Sequence, residues 1–543
     1  MRKSANIWII CLLGGFYYAQ AQDLGKIDFP TSGSEAAQAH FIEGSLLLHS
    51  FEFEDAREAY QKAQKVAPGF AMAYWGEAMT HFHPLWDHHD QEKGKAALNK
   101  LGENTEARLA KAPTEKEKDW VKAVEILYAE GESNTQIQAY SDFMGILNSK
   151  YPDDHEFASF YAISLLSTSF QGRDSYKYMR AASIVEEVYA NNPLHPGALH
   201  YLIHSYDDPI HAPLGMRAAI RYAEVAPDAA HALHMPSHIF IAMGIWDRVV
   251  GMNEQSSSAA DRRRARKNLG VDSRGFHSLH WLQYGYLQQG RQEKALELLN
   301  NMQKDYQESR SRRAAYHLAV MRAGYLIETQ DWEHAANTIQ IDKSKLPKKA
   351  LAVDRFVRGL AYMKQGKLLS TQKLQEQLEA MAPMAQHQDM FDVGGGKTTC
   401  CSPNYSTKDD DDPGTIHAIH VMNMQLQAIM RYESGRKEEA VELMKKASDM
   451  EGNMDFMFGP PIIAKPSFEL LGEMLLETGK FTAAAAAFET ALKRAPGRTQ
   501  SLKGLEKAYT QAGEAEKASV VQQLLEKNLA QADAATQESL KGR

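Results

Sequence analysis

A repeated spacing of small, aromatic and proline residues most constrains how this chain of 543 residues can fold. Two stretches far apart in the chain share it: Gly44, Ala56, Tyr60, Ala63 and Pro68 in the first, and Gly472, Ala484, Phe488, Ala491 and Pro496 in the second. Small residues let two helices approach, the aromatic residue fills the gap between them, and proline ends the second helix. The recurrence of this spacing indicates an internal repeat built from closely packed helices.

Two more stretches follow the same spacing in part, at Tyr286, Gly290, Ala295 and Leu299 and at Gly435, Ala440, Met444 and Ala447. On these residues most of the chain resembles the tetratricopeptide-repeat family, whose repeat has about 34 residues. The resemblance implies an all-α fold, a right-handed superhelical solenoid of helix hairpins with a concave groove. Members of the family are mostly scaffolds that hold a peptide or a protein in that groove, but the fold alone does not decide function.

The pattern also divides the chain into segments. We expect a signal peptide at 1–21, N-terminal repeats at 22–90, a helical but weakly periodic insertion at 91–155, central repeats at 156–382, a Gly-, Cys- and Asp-rich loop at 383–415, and C-terminal repeats at 416–543. The loop contains Cys400 and Cys401, the two cysteines left after cleavage. Adjacent cysteines cannot form a long-range disulfide, so a strained vicinal disulfide, two free thiols and a soft-metal ligand pair all stay open.

The first 21 residues have the composition of a secretory signal peptide. Arg2 and Lys3 precede an apolar stretch at 7–18, and residues 19–21 have the small-x-small pattern that signal peptidase cleaves. No later segment has the roughly 18 uninterrupted apolar residues that a membrane span requires. We therefore predict an exported protein, periplasmic or secreted, without a membrane span.

Charge and motifs exclude several common function classes. A net charge of -8 gives no electrostatic reason to expect nucleic acid as a partner. The local exception is a basic run, which we expect to be a solvated loop between helices: Arg262, Arg263, Arg264, Arg266 and Lys267. No Ser/His/Asp spacing, HExxH or glycine-rich nucleotide turn is present, so the common hydrolase and dehydrogenase classes find no support.

Histidines are concentrated where the repeat register turns side chains toward the groove. The chain has 21 histidines, and in the family positions 2, 5 and 9 of each repeat's first helix face inward. In three successive repeats these positions hold Gly197, His200 and His204, then His231, His234 and His238, then His277, His280 and Tyr284. Seven of these nine positions are histidine, and the next repeat has His317 at position 2.

This concentration predicts a metal site. Neutral imidazole is the commonest ligand for borderline transition metals, and residues three or four apart share a helix face. We predict that one or two ions, copper first with zinc or iron as alternatives, bind to His200, His204, His231, His234, His238, His277 and His280. The HxxxH spacing of His200 and His204 is similar to that of binuclear copper proteins. A copper- or iron-dependent oxidoreductase is the enzyme that such a site would allow.

Other polar residues near the cluster could orient ligands or a bound molecule. They are Asp207, Asp208 and His211 after the helix of His204, Tyr284 and His317 beside the cluster, and Lys465, Glu469 and Glu473 on a later helix. The two aspartates and His211 could orient ring nitrogens or simply form a turn. Tyr284 could serve an oxidative reaction or simply wall the groove. The late charged residues could hold a carboxylate or an amine, or form a stabilising pair within their helix.

The alternative is a metal-free scaffold that binds a small molecule, a peptide or a protein in the groove. The histidines would then be stacking and hydrogen-bonding contacts. The two hypotheses differ in geometry. Ring nitrogens that converge on one point favour a metal, whereas a strip of imidazoles spread along the groove favours a peptide.

Overall fold

The fold is that of a computed structural model, which describes residues 22–86, 88–170, 172–382, 412–456, 458–534 and 536–537. The predicted signal peptide, Cys400, Cys401 and most of the predicted loop at 383–415 lie outside these residues. The described chain is helical apart from connecting turns and one two-stranded antiparallel ribbon. The prediction of an all-α solenoid is confirmed.

Helices follow one another with short connections. The first part of the chain contains α1 (Glu35–His49), α2 (Phe53–Val66), α3 (Ala71–Met79), α4 (Gln91–Asn99), α5 (Thr105–Leu109), α6 (Glu115–Leu127), α7 (Ser133–Lys150), α8 (His155–Ser167) and α9 (Ser175–Asn191). Strands β1 (Phe82–His83) and β2 (His88–His89) form the ribbon between α3 and α4.

The central part contains α10 (Pro196–Ser205), α11 (Ala212–Val225), α12 (Ala230–His234), α13 (Pro236–Ala242), α14 (Trp246–Lys267), α15 (Phe276–Gln288), α16 (Gln292–Ser309), α17 (Arg312–Thr329), α18 (Lys348–Lys364) and α19 (Leu368–Glu379). Single 3-10 turns lie at Val271–Ser273, Ala335–Thr338 and Lys343–Lys345. The last part contains α20 (Pro413–Glu433), α21 (Lys437–Gly452), α22 (Ser467–Glu477), α23 (Phe481–Arg494), α24 (Thr499–Ala512) and α25 (Ala515–Asn528). None of the helices in the described ranges is both long and apolar enough to cross a membrane.

The small and aromatic residues of the repeat pattern meet between paired helices. A Cβ atom on Gly44 of α1 would lie 2.9 Å from the ring of Tyr60 on α2. A Cβ atom on Gly472 of α22 would lie 2.8 Å from the ring of Phe488 on α23. Glycine is therefore needed at these crossings so that the aromatic ring of the second helix can fill the gap.

The basic run is helical, and its prediction as a solvated loop is wrong. Residues 262–267 form the last turns of α14. Arg263 and Lys267 donate to the Asp55 carboxylate of α2, at 2.5 and 2.7 Å. These pairs offset the repulsion between the basic side chains, and cations in the last turn of a helix also interact favourably with its dipole.

The N-terminal repeat packs against the centre of the chain. The backbone amide of Lys26 donates to the carbonyl of Leu194 at 2.9 Å. Gly25 has a φ of +90°, and a Cβ atom there would lie 2.7 Å from the same carbonyl, so this approach requires glycine. Helix α1 also contacts α10. The first helices are thus brought onto the repeats that contain the histidines.

The C-terminal repeats also fold back on the centre. The indole Nε1 of Trp246 donates to the carbonyl of Gly497 at 2.8 Å. The amide of Thr499 donates to Gln288 at 2.8 Å, and the amide of Asp533 to the carbonyl of Gly290 at 3.1 Å. Both ends of the described chain therefore contact the central repeats, and the histidine-bearing helices are largely covered.

Candidate metal centre

Six of the seven predicted ligands form two adjacent triads. His200, His204 and His231 form the first triad, and His234, His238 and His277 form the second. Within each triad, one nitrogen from every imidazole lies within 4.8 Å of the others. The triads adjoin each other, since the rings of His231 and His234 are 6.2 Å apart and those of His204 and His238 are 5.9 Å apart.

The imidazoles of the first triad converge through their Nε2 atoms. His200 Nε2 lies 3.0 Å from His204 Nε2 and 3.2 Å from His231 Nε2. Because His200 Nδ1–H donates to the carbonyl of His49 at 2.7 Å, its Nε2 holds a lone pair. Metal–nitrogen bonds of about 2.0–2.1 Å in a tetrahedral site separate ligand nitrogens by about 3.3 Å. The spacing of these nitrogens therefore suits one shared cation.

In the second triad, two of the three imidazoles are oriented by hydrogen bonds at Nδ1. His238 Nδ1 lies 2.5 Å from the Asp207 carboxylate, and His234 Nδ1 lies 2.7 Å from Asn253 Oδ1. Asn253 donates through its amide nitrogen to the carbonyl of Val249, so its oxygen faces His234. Both Nε2 atoms are consequently lone-pair donors. A histidine supported by a carboxylate is a common arrangement behind a protein-bound metal.

The two triads repeat one pattern, shifted by one helix pair. Each takes positions 5 and 9 of one repeat and position 2 of the next: His200 and His204 of α10 with His231 of α12, then His234 and His238 of α12 and α13 with His277 of α15. The same rule explains why His280 joins neither triad. Its set would be completed by His317 and by Tyr284, which replaces the second histidine.

His280 and His317 belong to neither triad, although the ring of His317 lies 6.4 Å from that of His277. The ring centroids of His280 and His317 are 6.1 Å apart, and His317 is buried. Burial, with a smaller effect from His277, lowers the pKa of His280 to about 3, so this imidazole is neutral at physiological pH. The Tyr284 hydroxyl accepts from Arg498 at 2.9 Å. This third position therefore offers two imidazoles and a phenol that already has a cationic partner.

Both triads are largely shielded from water. His200, His204, His234 and His238 are at most 2% exposed, whereas His231 and His277 are half-buried. Phe51 packs on the first triad, with ring centroids 4.4 Å from His200, 6.0 Å from His204 and 5.6 Å from His231. Such surroundings strengthen interactions with a bound ion because water is excluded.

Trp281 packs on the second triad in the corresponding way. Its ring centroid is 4.4 Å from His238, 4.8 Å from His234 and 5.3 Å from His277. Phe458 reaches the same triad from the C-terminal part of the chain, with its ring 6.2 Å from that of His238. Each triad thus has one large aromatic residue against all three imidazoles.

The other predicted polar residues are engaged elsewhere. Asp208 accepts from Arg173 at 2.8 Å and from His211 Nδ1 at 2.7 Å, so it anchors the turn after α10. Lys465 contacts Glu469 at 2.9 Å, and Glu469 also binds the buried guanidinium of Arg498 at 2.7 Å. These groups satisfy one another in a buried ion network between the C-terminal and central repeats.

A third buried cluster, His49, Glu156 and His195, was not predicted. The Glu156 carboxylate accepts from His49 Nε2 at 2.8 Å and from His195 Nε2 at 3.0 Å. Burial acts to raise the pKa of Glu156, but the two imidazoles outweigh it and hold this pKa at about 2. The three residues come from distant segments, so no spacing in the sequence could have indicated them.

Hydrogen bonding argues against a metal in this third cluster. The backbone amide of Ala198 donates to His195 Nδ1 at 3.1 Å, so the proton of His195 lies on Nε2. That Nε2–H points at Glu156 and has no lone pair for a cation. The cluster is a satisfied polar network that joins α1, α8 and the start of α10.

Comparison with known proteins finds one tetratricopeptide repeat in this chain. The family described as "Tetratricopeptide repeat" matches residues 466–498. No curated protein matches the sequence. Solved structures that are similar to this chain include the human IFIT1 dimer with m7Gppp-AAAA, at 14% identity over 93% of this chain and 91% of that chain, with a TM-score of 0.33. Yeast Tom70 matches at 13% identity over 93% of each chain, with a TM-score of 0.28.

These structural likenesses are too remote to indicate a ligand or a partner. The family match, in contrast, falls on a helix pair, α22 and α23, whose glycine-to-aromatic contact is the one that the repeat spacing predicts. The same contact recurs between α1 and α2 at the other end of the chain. Residues 466–498 therefore form a tetratricopeptide repeat, and α1 and α2 pack on each other in the same way.

Proposed function

We propose that this protein is an exported metalloprotein that binds two transition-metal ions, one in each histidine triad. The observation that carries the proposal is the pair of three-histidine sets, related by a shift of one repeat. Three of the six imidazoles are also oriented by hydrogen bonds that their Nδ1–H groups donate. Three protein ligands leave a coordination position for a further molecule, as in catalytic rather than structural metal sites.

Copper is the metal that we propose first. Both ligand sets consist of imidazole nitrogens, which suit copper, zinc and iron, and divalent copper binds most tightly to such sites among first-row ions. Bound copper would supply one-electron redox chemistry, so the activity we propose is that of a copper-dependent oxidoreductase. The chain's own contribution is to fix the Nε2 lone pairs and to exclude water through Phe51 and Trp281.

A peptide-binding scaffold is less well supported by this geometry. Such a scaffold needs inward-facing side chains that a peptide can reach, whereas four of the triad histidines are at most 2% exposed. Their nitrogens also converge in two compact groups instead of forming a strip. A small molecule at the half-buried His231 or His277 is compatible with the arrangement.

The test is the metal content of the purified full-length protein after reconstitution with Cu²⁺, Zn²⁺ or Fe²⁺. We expect two ions per chain, and one ion per chain in His204→Ala and in His238→Ala, which disrupt the first and second triads respectively. His40→Ala, which removes a surface histidine paired with Glu43, serves as the matched control and should keep two ions. If all four proteins stay metal-free, the proposal is wrong.

A further inference from the structure

Gly197 makes room for an imidazole from another repeat. It stands at position 2 of its repeat, where the next two repeats have the ligands His231 and His277. A Cβ atom on Gly197 would lie 2.4 Å from Nδ1 of His49, the last residue of α1. Here the inward position is therefore occupied by a histidine side chain from the N-terminal repeat.

The His49 side chain is fixed on both nitrogens. Its Nε2 lies 2.8 Å from the Glu156 carboxylate, and its Nδ1 lies 2.9 Å from the hydroxyl of Tyr201. His49 and Glu156 are completely buried, and Tyr201 is 2% exposed. Because each nitrogen has a partner, the end of α1 has a single orientation relative to α10.

The turn that follows α1 contacts every ligand of the first triad. The carbonyl of His49 accepts from His200 Nδ1 at 2.7 Å, and the Glu52 carboxylate accepts from the backbone amide of His231 at 3.0 Å. Phe51, between them, packs on all three imidazoles and has a φ of +56°. A non-glycine residue in this left-handed region is uncommon, and such residues cluster at functional sites.

We infer that residues 49–52, a turn of the N-terminal repeat, position the ligands of the first triad and so set the metal affinity of that site but not of the second. The inference rests on the proposed function. His49, Phe51 and Glu52 are positioning residues, since the contacts described above aim His200 and His231 without supplying a ligand nitrogen. Removal of such outer contacts typically weakens metal binding by about 10- to 100-fold.

The test compares Gly197→Ala with Gly251→Ala in full-length protein. The added methyl group of Gly197→Ala must displace His49, whereas a Cβ atom on Gly251, within α14, meets nothing within 4 Å. Each substitution is placed in two backgrounds, His238→Ala to leave the first site and His204→Ala to leave the second. Affinity for Cu²⁺ is measured by competition with a chromophoric chelator.

We expect Gly197→Ala to weaken Cu²⁺ binding about 10- to 100-fold at the first site, with no change beyond about 2-fold at the second. Gly251→Ala should change neither site. Equal losses at both sites, or an unchanged first site in a folded protein, would overturn the inference. If Gly197→Ala does not fold, Tyr201→Phe, which removes one partner of His49, takes its place and should weaken only the first site.

The proposed function and this inference can fail separately. If the unsubstituted protein takes up no metal, the proposed function is wrong and the inference falls with it. If the protein binds two ions but neither Gly197→Ala nor Tyr201→Phe changes the Cu²⁺ affinity of the first site, only the inference is wrong.

Discussion

The two triads share a ligand pattern but differ in what surrounds them. The first is completed by a turn from the N-terminal repeat, where the His49 carbonyl orients His200. In the second triad, His238 and His234 are oriented by residues that lie nearby in the sequence, Asp207 and Asn253. The aromatic residues that pack on this triad are Trp281 and, from the C-terminal part of the chain, Phe458. Histidines that follow the repeat register can thus lie in environments that depend on opposite ends of the described chain.

This difference predicts that the two ends of the chain can be perturbed separately. Substitutions that loosen the contacts between the C-terminal and central repeats should lower metal binding at the second triad more than at the first. Substitutions in the network around His49 should lower metal binding at the first triad more than at the second. The following substitutions test the comparison from the largest expected effect to the smallest.

Arg498→Leu should have the largest effect. Arg498 is 0% exposed and pairs with Glu469 and Glu328, at 2.7 and 2.5 Å. Its loss leaves buried carboxylates without their guanidinium, which typically costs about 3–5 kcal/mol of unfolding free energy. Chemical denaturation measures this loss. Arg436→Leu, at an exposed position, is the control and should change stability by less than about 0.5 kcal/mol.

The Arg498→Leu protein also tests the comparison itself. If the C-terminal repeats shield only the second triad, partial opening should lower metal occupancy there before it lowers occupancy in the first triad. Equal loss from both triads would show that the two environments are coupled and would contradict the separation.

Acidification should weaken the network on the N-terminal side. The pKa of Glu156 is about 2 in the folded protein, whereas the ordinary pKa of a glutamate, expected in the unfolded chain, is 4.5. A carboxyl whose pKa is depressed by folding stabilises the protein above the higher value, so this contribution is complete above pH 4.5 and is lost as pH falls toward 2. The groups that face it are His49 of α1 and His195 at the start of α10. The loss amounts to about 3 kcal/mol.

The Glu156→Gln variant separates the contribution of Glu156 to stability from the titration of other carboxyl groups. An amide offers one oxygen to two N–H donors, so the variant should be about 2–3 kcal/mol less stable than the unsubstituted protein at pH 7. The difference between the two proteins should shrink as pH falls from 4.5 toward 2. Urea denaturation at each pH measures the stability difference between the two proteins. A difference that stays constant across this range would mean that Glu156 is not ionised in the folded protein.

Asp207→Asn should change the second site selectively. The carboxylate lies 2.5 Å from His238 Nδ1, and an asparagine would keep the size of the side chain but remove its charge. Loss of such support typically lowers metal affinity by 10- to 100-fold, or about 1.4–2.7 kcal/mol. Competition with a chelator in the His204→Ala background measures it. An equal loss at the first site, measured in the His238→Ala background, would contradict the comparison.

The sequence predicts the parts of the site that follow the repeat. Positions 2, 5 and 9 identify the six triad histidines because these residues recur at fixed spacing on successive helices. The register alone did not show that positions 5 and 9 of one repeat group with position 2 of the next, the grouping that leaves His280, beside Tyr284, outside both triads. Nor could it reveal His49 or Glu156, which reach the site only because the first helices fold onto α10.

Gly459→Ala should have the smallest effect on metal affinity. Gly459 has a φ of +77°, and a Cβ atom there would lie 2.2 Å from the ring of Trp281, which packs on all three histidines of the second triad. Gly366 has a φ of +72° with nothing within 4 Å of its Cβ position, so Gly366→Ala carries the backbone strain alone. Each substitution should cost about 1–2 kcal/mol through that strain.

The difference between these two variants isolates the contact with Trp281. If Trp281 fixes the second triad, Gly459→Ala should lower Cu²⁺ affinity there several-fold beyond Gly366→Ala and leave the first site unchanged. Equal affinities in the two variants would mean that Trp281 shields the second triad without fixing its ligands. Phe51 would then be the aromatic residue that positions imidazoles, and the two triads would differ in the role of their aromatic cover as well as in its origin.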